Sequence, residues 1–230
     1  MTAARPRVVV HRSAEAAADG AATEIAARAR AAIDDHGAFS LAVSGGRSPW
    51  RMLAALAGQD MPWRDTTIYQ VDERIGPADD PARNLVGLRN ALAAVGGVQV
   101  VPMPVEDDDL LTACATYATQ LPATIDLVHL GLGPDGHTAS LVPGDPVLEV
   151  TDADVALTGI YQQRRRMTIT YPCIARARAV LWLVTGADKR HALALLRAHD
   201  PSIPAGRVDN RDQVLFCDAD ALPPAPAAES

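Results

Sequence analysis

The stretch Phe39–Leu56, FSLAVSGGRSPWRMLAAL, carries a complete strand–turn–helix unit. Phe39–Val43 is an uncharged apolar run of strand length, so it reads as a buried strand. Ser44–Ser48 is a turn built from serine and glycine. Pro49–Leu56 reads as a short helix with proline in its first turn, where a missing N–H is tolerated. A strand that leads through a glycine turn into a helix is the opening half of a βαβ unit.

Working outward, the same alternation repeats. Toward the N-terminus, Arg7–Val10 is a β-branched run, and Ser13 is placed to cap an Ala-rich helix that runs to about Asp35 and stops at His36–Gly37. Toward the C-terminus, strands are expected at Thr66–Val71, Val98–Val101, Ile125–Leu130, Ala179–Val184 and Val214–Cys217. Helices are expected at Asn84–Val95, Leu110–Leu121 and Asp188–Ala198. The first of these has Leu85, Leu88 and Leu92 at i, i+3 and i+7. Val155–Ile160 and Met167–Thr170 read as a strand pair. The pattern predicts an α/β fold with a mostly parallel sheet flanked by helices on both faces. No linker interrupts it, so one domain is expected over residues 1–221, followed by a Pro/Ala-rich tail at 222–230.

Composition narrows the function. The chain has 230 residues, of which 48% are hydrophobic and only 4% aromatic, so the core must be built from Ala, Val, Leu and Ile. Twenty-one basic against 28 acidic residues leave a net charge of −7, which repels a phosphate backbone and argues against nucleic-acid binding. The three cysteines lack CxxC spacing, which fits a reducing compartment and neither a disulfide framework nor a zinc knuckle. The N-terminal valine run is too short for a signal-peptide core, and no apolar stretch approaches bilayer length. A cytoplasmic protein without membrane partners is expected.

In a parallel sheet, ligands sit at the carboxyl ends of the strands. Four turns fall there. Ser44-Gly45-Gly46-Arg47-Ser48 brings backbone N–H groups, hydroxyls and a helix start to one place, which suits a phosphate. A serine-capped glycine turn would read the same way. Asp72-Glu73-Arg74 is either an exposed charged turn or an acid beside an anion-binding arginine. Arg164-Arg165-Arg166 and Lys189 are cations that matter only if their loops join the others.

The fourth turn is Gly131-Leu132-Gly133-Pro134-Asp135-Gly136-His137. It formally contains GxGxxG, but Pro143-Gly144 interrupts before a dinucleotide-binding helix can form. Its distinctive feature is Asp135 two residues before His137. An imidazole titrates near neutral pH and can take and return a proton, and a carboxylate can orient it. The remaining histidines, including His129 inside a strand, read as packing or surface residues. No GxSxG elbow, HExxH motif or paired His/Cys spacing is present, so neither a metal nor a cofactor is expected.

Taken together and in order, LAVSGGRSP, VDER with DDPARN, DLVHLGLGPDGHTASLVPG, RRRMTITYP and VTGADK resemble the 6-phosphogluconolactonases, within a superfamily that includes the glucosamine-6-phosphate isomerase/deaminases. The resemblance covers about Val43 to Lys189. It implies a modified Rossmann-like fold and hydrolysis of 6-phospho-D-glucono-1,5-lactone, the second step of the oxidative pentose phosphate pathway, without metal or bound nucleotide. The implied partner is the small sugar-phosphate lactone, with the chain a monomer or weak homodimer.

By residue, the resemblance matches Gly45, Gly46 and Ser48 to the sugar-phosphate loop and Arg166 and Lys189 to the phosphate, and Ser44 and Arg47 of the same turn are expected to bind the phosphate with them. It assigns catalysis to His137, Asp135, Asp72 and Arg74, with His137 as the proton carrier. Two positions depart from the family pattern. Arg83 stands where the lactonases often have serine, and Val142 where they often have phenylalanine. The deaminases carry a glutamate at the latter position, and valine cannot titrate.

Overall fold

The valine run near the N-terminus forms β1 (Arg7–His11), and Ser13 caps α1 (Ala14–His36) by accepting a hydrogen bond from the Ala16 N–H. The computed structural model describes residues 5–222. Gly37 ends α1 with φ at 80°, a left-handed geometry that glycine adopts without strain. The chain continues through β2 (Phe39–Val43), α2 (Arg47–Ala57), β3 (Thr66–Gln70), β4 (Asp72–Arg74), α3 (Asn84–Ala91) and β5 (Gln99–Val101). Then follow α4 (Leu110–Gln120), β6 (Leu127–Leu130), β7 (Val155–Leu157), β8 (Arg166–Ile169), α5 (Tyr171–Ala175), β9 (Ala179–Val184), α6 (Arg190–Arg197) and β10 (Gln213–Asp218).

Seven strands form one sheet in the order β1-β10-β9-β6-β2-β3-β5, and every pairing in it is parallel. Strand residues alternate between two cores. Leu41 and Val43 face α1, α2 and α3, whereas Ala42 faces the side covered by α4, α5 and α6. Helices on both faces explain why β2, β9 and β10 are buried along their whole length. The buried stripe of α1 is almost entirely alanine (Ala17, Ala18, Ala21, Ala22, Ala26 and Ala29, with Ile25), which lets it lie close to α2 and β10. Low aromatic content is thus met by close approach of backbones. Among the described residues, no helix is long and apolar enough to cross a membrane.

Four expectations change. Asp72–Arg74 is not a turn: it is β4, the edge of a separate antiparallel sheet in the order β4-β8-β7. The expected strand pair supplies the other two strands, and the first of them stops at Leu157. The helix after Arg83 ends at Ala91 rather than Val95, because Leu92 leaves helical geometry at its C-cap. The helix of the SGGRSP segment starts at Arg47, two residues early, because Gly46 adopts φ of 127° and serves as its N-cap. The expected C-terminal tail lies, beyond Leu222, outside the described residues.

Glu73 fixes how the small sheet meets α3. Its carboxylate is fully buried and accepts hydrogen bonds from the N–H groups of Arg74, Asn84 and Leu85 and from the Gln70 side chain. A carboxylate at the positive end of a helix dipole is favourably placed, and four donors offset its desolvation. Arg83 lies 3.6 Å away and also pairs with Glu106.

Candidate active site

The order of strands reverses between β2 and β6, because the chain runs from β2 to β3 on one side and from β6 to β9 on the other. This is where a parallel sheet opens a crevice at its carboxyl edge. Ser44, at the end of β2, bridges to β6: its hydroxyl donates to the His129 carbonyl at 3.1 Å. Its N–H donates to His129 Nδ1 at 3.4 Å. His129 is fully buried, and burial lowers its pKa from 6.5 to about 3, so it stays neutral. That residue is structural, as its place inside a strand implied.

A cleft of about 500 Å³ opens above this crevice. Of the residues singled out in the sequence, Ser44, Gly45, Gly46, Arg47, Ser48, Asp72, Arg74, His137, Arg166 and Lys189 all line it. Asp135 stands behind His137. Turns separated by more than a hundred residues therefore meet in one hollow.

At one end lies the SGGRS turn. No side chain caps α2, and Pro49 has no N–H, so the first turn presents its positive end to the cleft. Ser48 is held by a 2.8 Å hydrogen bond with Thr185, which brings the β2 and β9 turns together. Lys189, from the 3₁₀ turn Ala187–Lys189, borders the same end and pairs with Asp188 at 3.1 Å.

Arg166 faces the cleft from the first position of β8. It is 5% exposed, its Nε has no hydrogen-bond partner, and its Nη1 lies 3.9 Å from Asp72 Oδ2. Burial pushes its pKa down, but a guanidinium starts so high that it remains charged. The neighbouring arginines are used elsewhere. Arg164 pairs with Asp80, and Arg165 donates to the Thr158 carbonyl. Only the third member of the RRR run reaches the main cleft.

Asp72 sits between the two ends. Its Oδ1 accepts from Asn84 Nδ2 at 3.2 Å, and its Oδ2 accepts from the Ser140 hydroxyl at 2.6 Å. Burial raises its pKa, opposed by Ser140, Arg166 and Arg74. Arg74 donates through Nη1 to Asn84 Oδ1 at 2.8 Å and to the Ala82 carbonyl at 2.5 Å. Asn84 and Ser140 were not picked out from the sequence. The DDPARN and HTAS motifs contained them, but nothing local distinguishes them from ordinary turn residues.

At the other end, His137 Nδ1 lies 2.6 Å from Asp135 Oδ1. The hydrogen bond from His137 is the main cause that holds the Asp135 carboxyl far below its ordinary range, so it is ionised. An ionised carboxylate only accepts, so the proton in this bond belongs to Nδ1. In the neutral ring, Nε2 then carries the free lone pair. Gly133 makes room for the pair: a Cβ there would stand 2.0 Å from His137 Nδ1 and 2.5 Å from Asp135 Oδ1. Tyr161, also missed from sequence, donates its hydroxyl to Asp135 Oδ2 at 2.9 Å.

A site with a cationic, N–H-rich end and an oriented imidazole can bind a phosphorylated molecule and move a proton on it. Comparison with known proteins agrees with this chemistry. The family profile described as Glucosamine-6-phosphate isomerases/6-phosphogluconolactonase matches residues 12–217. The 6-phosphogluconolactonase of Synechocystis sp. is 36% identical over 182 residues, covering 74% of this chain and 75% of that one. That of Streptomyces coelicolor is 31% identical over 239 residues, covering 92% and 91%. A solved structure of 6-phosphogluconolactonase from Trypanosoma brucei matches with a TM-score of 0.85 over 96% of this chain and 98% of that one, at 23% identity, a likeness of fold.

Proposed function

Because the chain belongs to the glucosamine-6-phosphate isomerase/6-phosphogluconolactonase family, we infer that it hydrolyses 6-phospho-D-glucono-1,5-lactone to 6-phospho-D-gluconate, the second step of the oxidative pentose phosphate pathway. The observation that carries this reading is the placement of an anion-binding turn and an aspartate-oriented histidine in one cleft.

The 6-phosphate sits against Gly45, Gly46 and the first turn of α2, with Ser44, Arg47 and Ser48 around it and the charges of Arg166 and Lys189 on either side. This contact is remote from the reacting carbon. It fixes the sugar so that C1 reaches the imidazole, which replaces a bimolecular encounter with a positioned one.

His137 Nε2 takes a proton from water as the oxygen attacks C1. Asp135 keeps Nδ1 protonated and stabilises the imidazolium that forms. The tetrahedral oxyanion is met by Arg74 or by N–H groups of the Gly131–Gly133 turn. As the C1–O5 bond breaks, the imidazolium returns its proton to the departing ring oxygen; a hydroxyl and a carboxylic acid result, and the acid releases its remaining proton to solvent to leave the carboxylate. Asp72, with Asn84 and Ser140 on its oxygens, holds Arg166 and accepts from a sugar hydroxyl. General acid–base catalysis of this kind supplies about 100- to 10,000-fold.

The reading treats residues 1–221 as one domain that works in the cytoplasm as a monomer or weak homodimer. Both cores pack on the one large sheet, and Cys114, Cys173 and Cys217 are buried thiols without disulfides. The test is stopped-flow hydrolysis of freshly generated lactone, corrected for spontaneous opening. Rapid, saturable turnover is expected. A rate equal to the spontaneous one, or ammonia release from glucosamine 6-phosphate instead, would overturn the assignment.

A further inference from the structure

Tyr161 does not line the cleft itself but touches two residues that do, His137 and Arg166. On one side its ring meets His137 edge-on, with centroids 5.4 Å apart and planes at 62°. Its hydroxyl donates to Asp135 Oδ2 at 2.9 Å and lies 3.3 Å from His137 Nδ1. The Nδ1 proton is committed to Asp135 Oδ1, so the phenol proton goes to the other carboxylate oxygen. Asp135 is thereby held at both oxygens. Against the same ring, the Arg166 guanidinium stands 5.1 Å from the centroid, within cation–π range. Gln162 reinforces the link, accepting from Arg166 Nη2 at 3.1 Å.

The backbone pays a visible cost to put the ring there. Tyr161 and Arg164 pair across a tight turn, with N–H to carbonyl hydrogen bonds of 2.9 and 3.2 Å. The two central residues, Gln162 and Gln163, have φ of 48° and 66°. Positive φ at both positions is what a two-residue hairpin turn needs, and glycine or asparagine ordinarily supplies it. Glutamine there is strained by about 1 to 2 kcal/mol per residue. Such strain is retained where the surroundings fix the conformation, and it is concentrated at functional sites.

We propose that Tyr161 is a positioning residue that sets the Asp135–His137 pair through its hydroxyl and seats Arg166 through its ring, so that the base and the anion grip are held by one side chain. The proposal rests on the reading of His137 as the general base. The hydroxyl and ring functions are separable, because phenylalanine keeps the ring and loses only the hydrogen bond. Burial and the adjacent Asp135 raise the phenol pKa, which keeps its proton available for donation.

The experiment compares Tyr161→Phe and Tyr161→Leu in the full chain, with freshly generated lactone as substrate and inorganic phosphate as a competing anion. Tyr161→Phe should lower kcat about tenfold, the size of one lost hydrogen bond, with KM and phosphate inhibition within about twofold of wild type. Tyr161→Leu should lower kcat similarly and raise both KM and the phosphate inhibition constant at least about fivefold through the lost ring contact. Tyr161→Gln deletes the ring with a polar side chain and replaces the leucine variant if that one does not fold. Wild-type kcat in Tyr161→Phe overturns the hydroxyl role, and unchanged KM in the ring-deleted protein overturns the seating of Arg166. In a His137→Ala background, Tyr161→Phe should cause no further loss of kcat, and a full additional loss rejects action through His137. Wild-type turnover in His137→Ala alone rejects the assignment of the base instead, so the two failures are distinguishable.

Discussion

Asn84 Oδ1 stands 1.9 Å from the point where a Cβ would lie on residue 45. Gly45 belongs to the phosphate turn, whereas Asn84 opens α3 and bonds both Asp72 and Arg74. The absent side chain at position 45 is therefore what lets the turn after β2 approach the acid–amide cluster after β3. Gly45→Ala would push Asn84 off both partners. A loss of about 1 to 3 kcal/mol in stability and about a tenfold rise in KM are expected, read by thermal unfolding and steady-state kinetics. An alanine variant with wild-type melting and KM would show that this approach is unimportant.

His137→Ala should lower kcat by about two to four orders of magnitude and leave KM within a few fold, since the ring acts on protons and not on the phosphate. Asp135→Asn should also lower kcat strongly. An amide can donate to Nδ1 and so favour the tautomer that puts the proton on Nε2, the nitrogen needed as base. Stopped-flow traces of both variants at neutral pH provide the check, and equal turnover in wild type and Asp135→Asn would contradict the orienting role.

Arg166→Lys tests geometry at constant charge. The guanidinium spreads its donors over a planar fork beside Asp72 and the Tyr161 ring, and an ammonium offers only a point charge. KM should rise about tenfold with kcat altered less, and inorganic phosphate should inhibit more weakly. Lys189→Ala should move the same two quantities in the same direction. A fall in kcat at constant KM in either variant would place the residue with the chemistry instead.

Acid stability should carry the signature of His129. Its pKa is near 3 when folded and near 6.5 when unfolded, because the buried ring cannot be charged cheaply. Between these values the unfolded chain binds the extra proton, so stability falls as pH is lowered. The slope is up to about 1.4 kcal/mol per pH unit, and the contribution is complete above pH 6.5. His129→Asn keeps an acceptor near Ser44 and cannot titrate. Chemical denaturation from pH 7 to pH 4 should give a shallower pH dependence for the variant, and parallel curves would refute the attribution.

Gln163 is exposed and sits at φ of 66° in the turn that carries Tyr161. Gln163→Gly should remove that strain. After the greater chain entropy of glycine is subtracted, a gain of about 0.5 to 1 kcal/mol is expected. A lower unfolding midpoint would mean that the turn is not strained at this position.

Much of this architecture is written in short stretches of chain. Phe39–Leu56 states its strand, turn and helix through composition within a few residues, and Asp135 meets His137 because two positions in one glycine-rich turn are always near each other. Ser13 and Gly37 mark the ends of α1 by chemistry that acts over one helical turn. Such features depend on local hydrogen bonding and periodicity, and tertiary packing left them almost unchanged.

What needed the folded chain is decided by partners far away in sequence. Asp72–Arg74 looks like a charged turn until β8, almost a hundred residues later, pairs with it and Glu73 is buried under the start of α3. Three consecutive arginines are equivalent as letters. Strand alternation and the positions of Asp80 and Asp72 send only Arg166 into the main cleft. Tyr161 has no local mark at all, since its meaning comes from Asp135 and His137 on another loop. Desolvation and charge pairing act through space, so which polar side chains end up buried together is settled only when the strands take their order in the sheet.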